Sequence, residues 1–408
     1  MLEQHDEHFF RHQYASLVAT LTRKVGVQHI ALIEDAAQTS LLKAWELWKV
    51  SVPANPEAWL HRVAHNALID TLRKQRLLTP EDHANLPLQT HEESANLAGD
   101  LDDFLHLIFV CCDKAVPQPF SLTLVLKVLC GFSVKEIAAR LFISETNVYK
   151  RYRRACDVLK KRSGYFNILT LAESSERLDS VLCVLYLLFT EGYLSYSKDG
   201  AIRRELCEEA IRLAGLLASK DFCQKPVIMA LLALMSFNLA RLASRQSESG
   251  ELLLLEEQDR SQWDAHRIAQ GFHYLKLSAQ GERISRYHLE AAIAAEHCRA
   301  ASFAQTDWAS ICRSYQQLEV IQPSYLYRLN RVVALAEWQG ADAGLKLLLE
   351  NSPPTWMTRS YLWYVVAADI HRRCDHRDEY KRFADLALKC APNEYVQRLI
   401  KRRFNSGG

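Results

Sequence analysis

Residues 131–162 carry two consecutive helix signals, which constrain the fold of this chain more than any other segment. Ser133 and Glu136 have the spacing of a capping box, in which each side chain satisfies a backbone amide at a helix N-terminus. Ser144 is a second N-cap residue. Apolar residues follow each cap at helical spacing: Val134, Ile137, Ala138 and Leu141, then Val148, Tyr152, Ala155 and Leu159. Because so few residues separate the helices, the pattern predicts a helix-turn-helix whose second helix can enter a DNA major groove.

The second helix of this motif is strongly basic. Residues 140–162 contain eight Lys or Arg and two acidic residues, a balance of +6, whereas the whole chain carries +2. Cations off the apolar stripe can neutralise DNA phosphates, and short polar side chains in the first turn can reach base edges. A solvated hairpin is the alternative, but caps, phased stripes and clustered charge together favour DNA contact. The candidate DNA-contacting residues are Thr146, Asn147, Lys150, Arg151, Arg153 and Arg154.

Helical periodicity extends over nearly all of the 408 residues and predicts an all-α fold. Gly and Pro are scarce, and strand-type alternation bounded by turn residues is hard to find. A chain of this length is expected to hold about two to four domains. Eleven scattered cysteines without a C-x-x-C pair favour reduced, buried thiols, so we expect no metal and no cofactor.

Targeting, membrane-spanning and catalytic motifs do not occur in this sequence. The first residues are polar and acidic, without the apolar core of a signal peptide. The longest apolar stretches, 181–189 and 227–235, are too short to span a bilayer and are typical of core helices. We therefore expect a cytoplasmic protein that makes no membrane contact. Nucleophile elbow, phosphate loop, H-E-x-x-H motif and carboxylate dyad are all missing, so we expect no catalytic residues and no enzyme activity.

The first eighty residues favour three helices, at about 9–25, 32–48 and 56–76. The second is predicted to bury the stripe Ile33, Ala37, Leu41, Ala44, Trp45 and Trp48 and to expose Glu34, Asp35, Gln38, Thr39, Lys43 and Glu46. On the third, Asn66 and Asp70 are i, i+4 neighbours with Arg73 close by. Such groups can hydrogen-bond base edges, although a mixed polar face taken alone is more often ordinary surface.

The order of these elements resembles that of the extracytoplasmic-function sigma factors of bacterial RNA polymerase. The resemblance rests on EDAAQTSLLKAW at 34–45, PEAWLHRVAHNALIDTLRKQR at 56–76 and the helix-turn-helix, and covers about residues 8–163. Positions on the family pattern are Asp35, Gln38, Trp45, Trp59, Leu60, Asn66, Asp70, Arg73, Arg151, Arg154 and Ala155. Departures are Thr39 in place of an acid, Leu41 in place of Phe and Phe142 in place of a turn Gly.

The resemblance implies the partners and the residues that meet them. The partners are promoter DNA and core RNA polymerase, through its β′ clamp helices and its β flap. Polymerase-binding residues are Asp35, Gln38 and Lys43. Residues expected to capture the minus-ten element as a single strand are Arg62, Asn66, Asp70, Arg73 and Arg76. Those expected in the major groove of the minus-thirty-five duplex are Thr146, Asn147, Lys150, Arg151 and Arg154.

The chain continues well beyond the length that ordinary sigma factors of this class have. Two polar blocks, 191–209 and 252–264, are either a partner surface or intradomain ion pairs. Counting back from Pro392 and from Pro323 gives tetratricopeptide spacing, with a degenerate unit around Gly340. We predict two small helical domains followed by a helical, tetratricopeptide-like domain: a region 2-like domain at 1–78, an acidic linker at 79–100, a region 4-like helix-turn-helix domain at 101–164, a helical extension at 165–290 and repeats at 291–408.

The function expected from these features is a sigma factor that directs polymerase to promoters and is regulated by its own extension. A protein or small-molecule regulator is expected to act at the C-terminal domain. Two alternatives remain: a helix-turn-helix regulator that acts without replacing sigma, and a tetratricopeptide-type interaction adaptor. The paired motifs at 34–76 and 131–162 favour the sigma factor, because the alternatives do not need the first of them.

Overall fold

The computed structural model describes residues 5–75, 97–128, 131–141, 143–161, 171–194, 202–219, 225–247, 249 and 251–405. These ranges contain α-helices, short 3-10 turns and one isolated antiparallel bridge, between Gln246 and Leu252, but no strand. The predicted all-α fold is confirmed. The chain divides into two compact units, Met1–Leu188 and Phe189–Gly408. No helix in the described ranges combines the length and the apolar character that a membrane span needs.

The first unit places its helices close to where the periodicity predicts them. They are α1 His5–Val25, α2 Ile30–Leu47, α3 Pro56–Lys74, α4 Leu97–Cys111, α5 Gln118–Val128, α6 Val134–Arg140, α7 Glu145–Lys160 and α8 Leu171–Tyr193, which ends in the second unit. Leu17, Ile33, Leu60 and Leu68 are fully buried, so α1, α2 and α3 share one core. The predicted acidic linker, 79–100, lies outside the described residues as far as Asn96.

A buried ion pair holds α8 against the end of α4. The Arg177 Nη2 atom lies 2.7 Å from Asp113 Oδ2, and the two side chains are 4% and 3% exposed. Arg177 Nη1 also donates to the carbonyl oxygen of Phe109 at 3.0 Å. Removing one partner of such a pair leaves an uncompensated buried charge, which makes the N-terminal part of α8 an integral part of the first unit.

The second unit begins with closely packed helices. These are α9 Arg204–Ala218, α10 Lys225–Ala240, α11 Ala265–Ser278 and α12 Arg286–Arg299. Helix α10 is buried nearly all round, as the apolar stretch predicts, with Leu231, Met235 and Phe237 fully enclosed. Helix α11 approaches it at Gly271, where a Cβ atom would lie only 2.7 Å from the Phe237 ring. A side chain at this position would therefore force the two helices apart.

The remaining helices pair with their chain neighbours, and this extension is tetratricopeptide-like. They are α13 Trp308–Ile321, α14 Tyr325–Gln339, α15 Ala341–Leu349, α16 Tyr361–Arg373, α17 Arg377–Lys389 and α18 Glu394–Asn405. The small residues Ala367, Ala384 and Ala387 are buried between helices. Gly340 has a φ of +97° between α14 and α15, a conformation that favours glycine at the predicted turn.

Helix α2 differs from its predicted faces most strongly at two positions. Trp45, predicted to lie in the core, is 51% exposed, whereas Glu34, predicted to lie on the polar face, is only 3% exposed. The buried face of α2 passes through Ile33, Ala37 and Ala44 and turns Trp45 outward. Trp48 instead packs against Trp59 of α3, with 5.7 Å between ring centroids.

Candidate nucleic-acid and partner interface

The helix-turn-helix has the caps that the sequence predicts. The Ser133 amide donates to Glu136 Oε2 at 2.7 Å, and the Glu136 amide donates to Ser133 Oγ at 3.2 Å, which completes the capping box of α6. The Asn147 amide donates to Ser144 Oγ at 3.3 Å at the start of α7. The two helices begin where these side chains satisfy their first amides.

Helix α7 separates an apolar face from a basic one. Its buried residues are Val148, Ala155, Cys156 and Leu159. The predicted contact residues Thr146, Asn147, Lys150 and Arg154 are exposed, and Arg151 is half-buried. The Arg154 guanidinium lies 5.9 Å from the centroid of the Phe120 ring in α5. This cation–π contact orients Arg154 and leaves its exposed guanidinium able to reach a phosphate.

The polar face of α3 lies in solvent over three turns. Arg62, Asn66, Asp70 and Arg73 are all exposed, and Arg76 lies outside the described residues. Arg73 Nη1 is 3.7 Å from Asp70 Oδ1, a distance at which an exposed ion pair is weak. Helix α3 begins at an Asn55 cap, whose Oδ1 accepts from the Ala58 amide at 3.0 Å. Burial and nearby Lys24 lower the pKa of His65.

Helix α2 exposes polar groups beside an apolar groove. Asp35, Gln38 and Lys43, the predicted polymerase-binding residues, are all exposed. The groove is a shallow, open apolar depression lined by Gln38, Leu41, Leu42 and Trp45. Sequence reasoning missed the groove because it assigned Leu41 and Trp45 to the core. Large exposed apolar side chains grouped together are typical of a protein-binding surface.

Glu34 joins the first three helices to the helix-turn-helix domain. Its Oε1 atom accepts from Tyr14 OH and from Lys127 Nζ, each at 3.1 Å, and its Oε2 atom accepts from Tyr152 OH of α7. Lys127 Nζ also lies 4.7 Å from the centroid of the Tyr152 ring. Burial and the Glu34 carboxylate raise the pKa of Tyr14 and of Tyr152, which keeps both phenols protonated as donors. We refer to these four residues as the Glu34 joint.

The first unit therefore combines a capped helix-turn-helix, whose second helix is basic, with a second polar helix face and an apolar groove. These features are typical of a helical protein that binds DNA and a protein partner. The family model of Sigma-70 region 2 matches residues 10–77, and the family model of Sigma-70, region 4 matches residues 123–159. A family of unknown function, DUF6596, matches 177–279.

Two relatives extend this comparison. The uncharacterized protein R00370 of Rhizobium meliloti strain 1021 is 31% identical over 382 residues, 91% of this chain and 89% of the relative. The ECF RNA polymerase sigma factor SigE of Mycolicibacterium smegmatis is 25% identical over 169 residues, 39% of this chain and 59% of the relative. No solved structure gives a significant match.

This chain belongs to the extracytoplasmic-function sigma factors and carries an extra C-terminal domain. It has sigma factor function, and its region 2 and region 4 domains imply core RNA polymerase and promoter DNA as partners. Sigma factor families initiate transcription and are not enzymes.

Proposed function

We propose that the chain directs core RNA polymerase to specific promoters through three surfaces of the first unit, and that its C-terminal extension sets its activity. This proposal rests on the observation that the α2 groove and the polar faces of α3 and α7 are all exposed. The assignment of each surface to one polymerase or promoter element rests on the family resemblance. The roles of individual residues follow from their chemistry.

The α2 groove is proposed to receive the β′ clamp helices. Apolar side chains at its centre supply contact area, and Asp35, Gln38 and Lys43 supply a polar rim, the usual organisation of a protein interface. The β flap is proposed to contact the helix-turn-helix domain.

Helix α3 is proposed to read the minus-ten element as a single strand. Unpaired bases expose their hydrogen-bonding edges, which Asn66 and Asp70 can bind from successive turns. Arg62 and Arg73 on the same helix, with Arg76 beyond the described part, supply positive charge for the backbone.

Helix α7 is proposed to enter the major groove of the minus-thirty-five duplex. Thr146 and Asn147 lie in its first turn, the part of a recognition helix that meets base edges, while Lys150, Arg151 and Arg154 are placed to contact phosphates. Phosphate contacts set the position of the helix and base contacts set its sequence preference.

Simultaneous binding of both elements requires the Glu34 joint to open. The minus-ten and minus-thirty-five elements are centred about 25 base pairs apart, a separation of about 85 Å along the duplex at roughly 3.4 Å per base pair. Helix α7 has 16 residues and is only about 24 Å long, while Tyr152 within it bonds directly to Glu34 of α2. Small-angle scattering of a Lys127→Met, Tyr152→Phe double variant should give a larger radius of gyration than wild type. Lys381→Ala, at an exposed site in the second unit, should leave it unchanged.

Polymerase assembly tests the first surface directly. Trp45→Ser and Asp35→Ala should each weaken binding to core polymerase at least several-fold in a co-migration assay, because each removes part of the groove or its rim. Lys381→Ala is the control. Undiminished assembly by both α2 variants, with unchanged helical content, would contradict the proposed role of the groove.

The role of the extension is tested by run-off transcription with the full chain and with residues 1–188. The cut follows the boundary between the two units and keeps Arg177 with Asp113, a pair that a cut near residue 165 would break. We expect transcript yield from one start site to change several-fold. An equal yield from both proteins would mean that the extension does not set activity.

A further inference from the structure

Two arginines of the second unit lie against one indole ring. The Arg260 guanidinium carbon is 4.7 Å and the Arg241 guanidinium carbon 5.8 Å from the ring centroid of buried Trp263. The Trp263 Nε1 atom donates to Ser244 Oγ at 2.7 Å, which fixes the ring. Arg241 directly follows α10, and Arg260 lies in the 3-10 turn Arg260–Gln262, so packing brings together two cations from separate segments.

Neither cation has a carboxylate partner in the described part of the chain. Arg241 is 8% exposed, and its Nη2 atom donates to Asn238 Oδ1 at 2.6 Å and to Tyr193 OH at 3.4 Å. Arg260 Nη1 donates to the carbonyl oxygens of His297 and Ala300 at the end of α12, at 2.6 and 2.5 Å. These acceptors are neutral, although helix-end carbonyls favour a cation. One buried and one half-buried positive charge therefore have no neutralising carboxylate in the described part of the chain.

Three buried nitrogen atoms of this cluster also lack hydrogen-bond partners. They are Arg241 Nε, Arg260 Nη2 and His297 Nδ1. A buried polar atom without a partner needs an explanation, and a bound ion is one such explanation.

The electrostatics of the cluster point the same way. Burial first, and Arg241 second, lower the pKa of Arg260. Burial, followed by Arg241 and Arg260, lowers the pKa of His297 to about 3. His297 is therefore neutral near pH 7, when it can donate one hydrogen bond without adding a third positive charge. Because the two guanidinium groups repel each other, an anion that binds close to both is favoured.

We propose that Arg241, Arg260 and His297 form a binding site for a small oxyanion, the phosphate or carboxylate group of a small molecule. Guanidinium groups bind such oxyanions through paired N–H donors. The indole lies against both guanidinium groups, helix-end carbonyls hold Arg260 in place, and Asn238 and Tyr193 hold Arg241. The site deepens the proposed regulation by the extension, and its regulatory meaning rests on that proposal. Binding of the anion does not depend on it.

The site lies in the segment that DUF6596 matches, except for His297. A purely structural clamp is the competing explanation, in which the stacked arginines only hold residues 255–264 against α10 and α12. The two explanations differ in one respect. A clamp is complete without a ligand, whereas an anion site gains stability and hydrogen bonds when an oxyanion is added.

The test uses the full-length protein, titrated with inorganic phosphate or malonate against chloride at constant ionic strength, with the unfolding midpoint as readout. We expect the midpoint of wild type to rise and saturate with at least one oxyanion. Isothermal titration should then give a dissociation constant that Arg260→Gln and Arg241→Gln each weaken at least tenfold. Arg283→Gln, at an exposed position of the same unit, should bind as wild type does. A response to phosphate alone or malonate alone identifies the chemical group.

Phosphate also stabilises many proteins by exclusion from their surface, so the variants decide the result. A wild type that binds neither oxyanion in the titration, or variants that bind both as wild type does, would overturn the proposal. Arg260→Lys is a second variant, used in case the glutamine variants misfold. It keeps the positive charge and loses the paired N–H donors. Its affinity should also fall at least tenfold. Run-off transcription is measured separately, so failure of anion binding and failure of the proposed regulation are distinguishable.

Discussion

The DNA-facing helices of the first unit and the proposed oxyanion site of the second unit hold positive charge in opposite ways. In the first, Lys150 and Arg154 of α7 and Arg62 of α3 lie exposed on helix faces. In the second, Arg241 is buried and Arg260 half-buried, both against Trp263. Exposed cations suit a long polyanion whose binding depends on salt, whereas enclosed cations suit a small anion that enters a fixed site. The difference suggests that promoter DNA and a small ligand bind at separate units.

The comparison also distinguishes residues that stabilise the fold from residues that recognise a ligand. The largest change in free energy is expected at a buried ion pair. Arg177→Ala should lower the free energy of unfolding of the first unit by about 3–5 kcal/mol, because it leaves the Asp113 carboxylate buried without its partner. Chemical denaturation measures this. The exposed Lys114–Glu176 pair joins the same segments, and Lys114→Ala should cost less than about 1 kcal/mol. Equal costs would remove the contrast between buried and exposed charge.

Acid should affect the second unit through His297. Its pKa of about 3 in the folded chain lies below the value of 6.5 expected when unfolded, so the unfolded chain binds more protons between these values. Stability from this residue is complete above pH 6.5 and falls as pH drops, by about 2 kcal/mol at pH 5. His297→Gln should reduce the acid slope of unfolding free energy between pH 6.5 and 4. An unchanged slope would contradict a neutral, enclosed His297.

A base-reading residue should change promoter preference. Asn66→Ala should change the discrimination among minus-ten variants by about 1–3 kcal/mol, because it removes hydrogen bonds to one base edge. Binding of the reconstituted holoenzyme to a panel of promoters measures the change. A uniform loss across the panel would instead assign Asn66 to backbone contact.

A phosphate-contacting residue should act on all sequences alike, with the smallest effect. Arg154→Ala should weaken binding of the minus-thirty-five duplex a few-fold on every variant and reduce the slope of log affinity against log salt by about one. Arg283→Gln serves as the control. Sequence-dependent losses would mean that Arg154 reads bases.

Local signals made the helix-turn-helix predictable from the sequence. Ser133, Glu136 and Ser144 act on amides within three residues, so their spacing alone places the helix starts. Gly340 was equally readable as a turn because its conformation favours glycine. Helical periodicity likewise identified α3 and its exposed polar face, whose residue roles stay predictions.

Long-range packing made the rest unpredictable. Glu34 has an ordinary polar position in the sequence, and it is buried because Tyr14, Lys127 and Tyr152 pack around it in the fold. Trp45 was predicted to lie in the core because it is hydrophobic. Helix α2 instead packs through Ala37 and Ala44 and leaves Trp45 exposed. The proposed oxyanion site combines Arg241, Arg260 and His297 from separate segments, so no sequence motif predicts it.

Dependence on polymerase tests the central claim most directly. Promoter-specific run-off transcripts are measured with core polymerase alone, with this protein alone and with both, and duplex binding is measured for the free protein. We predict transcripts only from the combination, with weak duplex binding by the free protein, because single-strand capture by α3 needs a melted promoter and the Glu34 joint is closed. Tight, sequence-specific duplex binding by the free protein, without polymerase association or transcripts, would contradict the account.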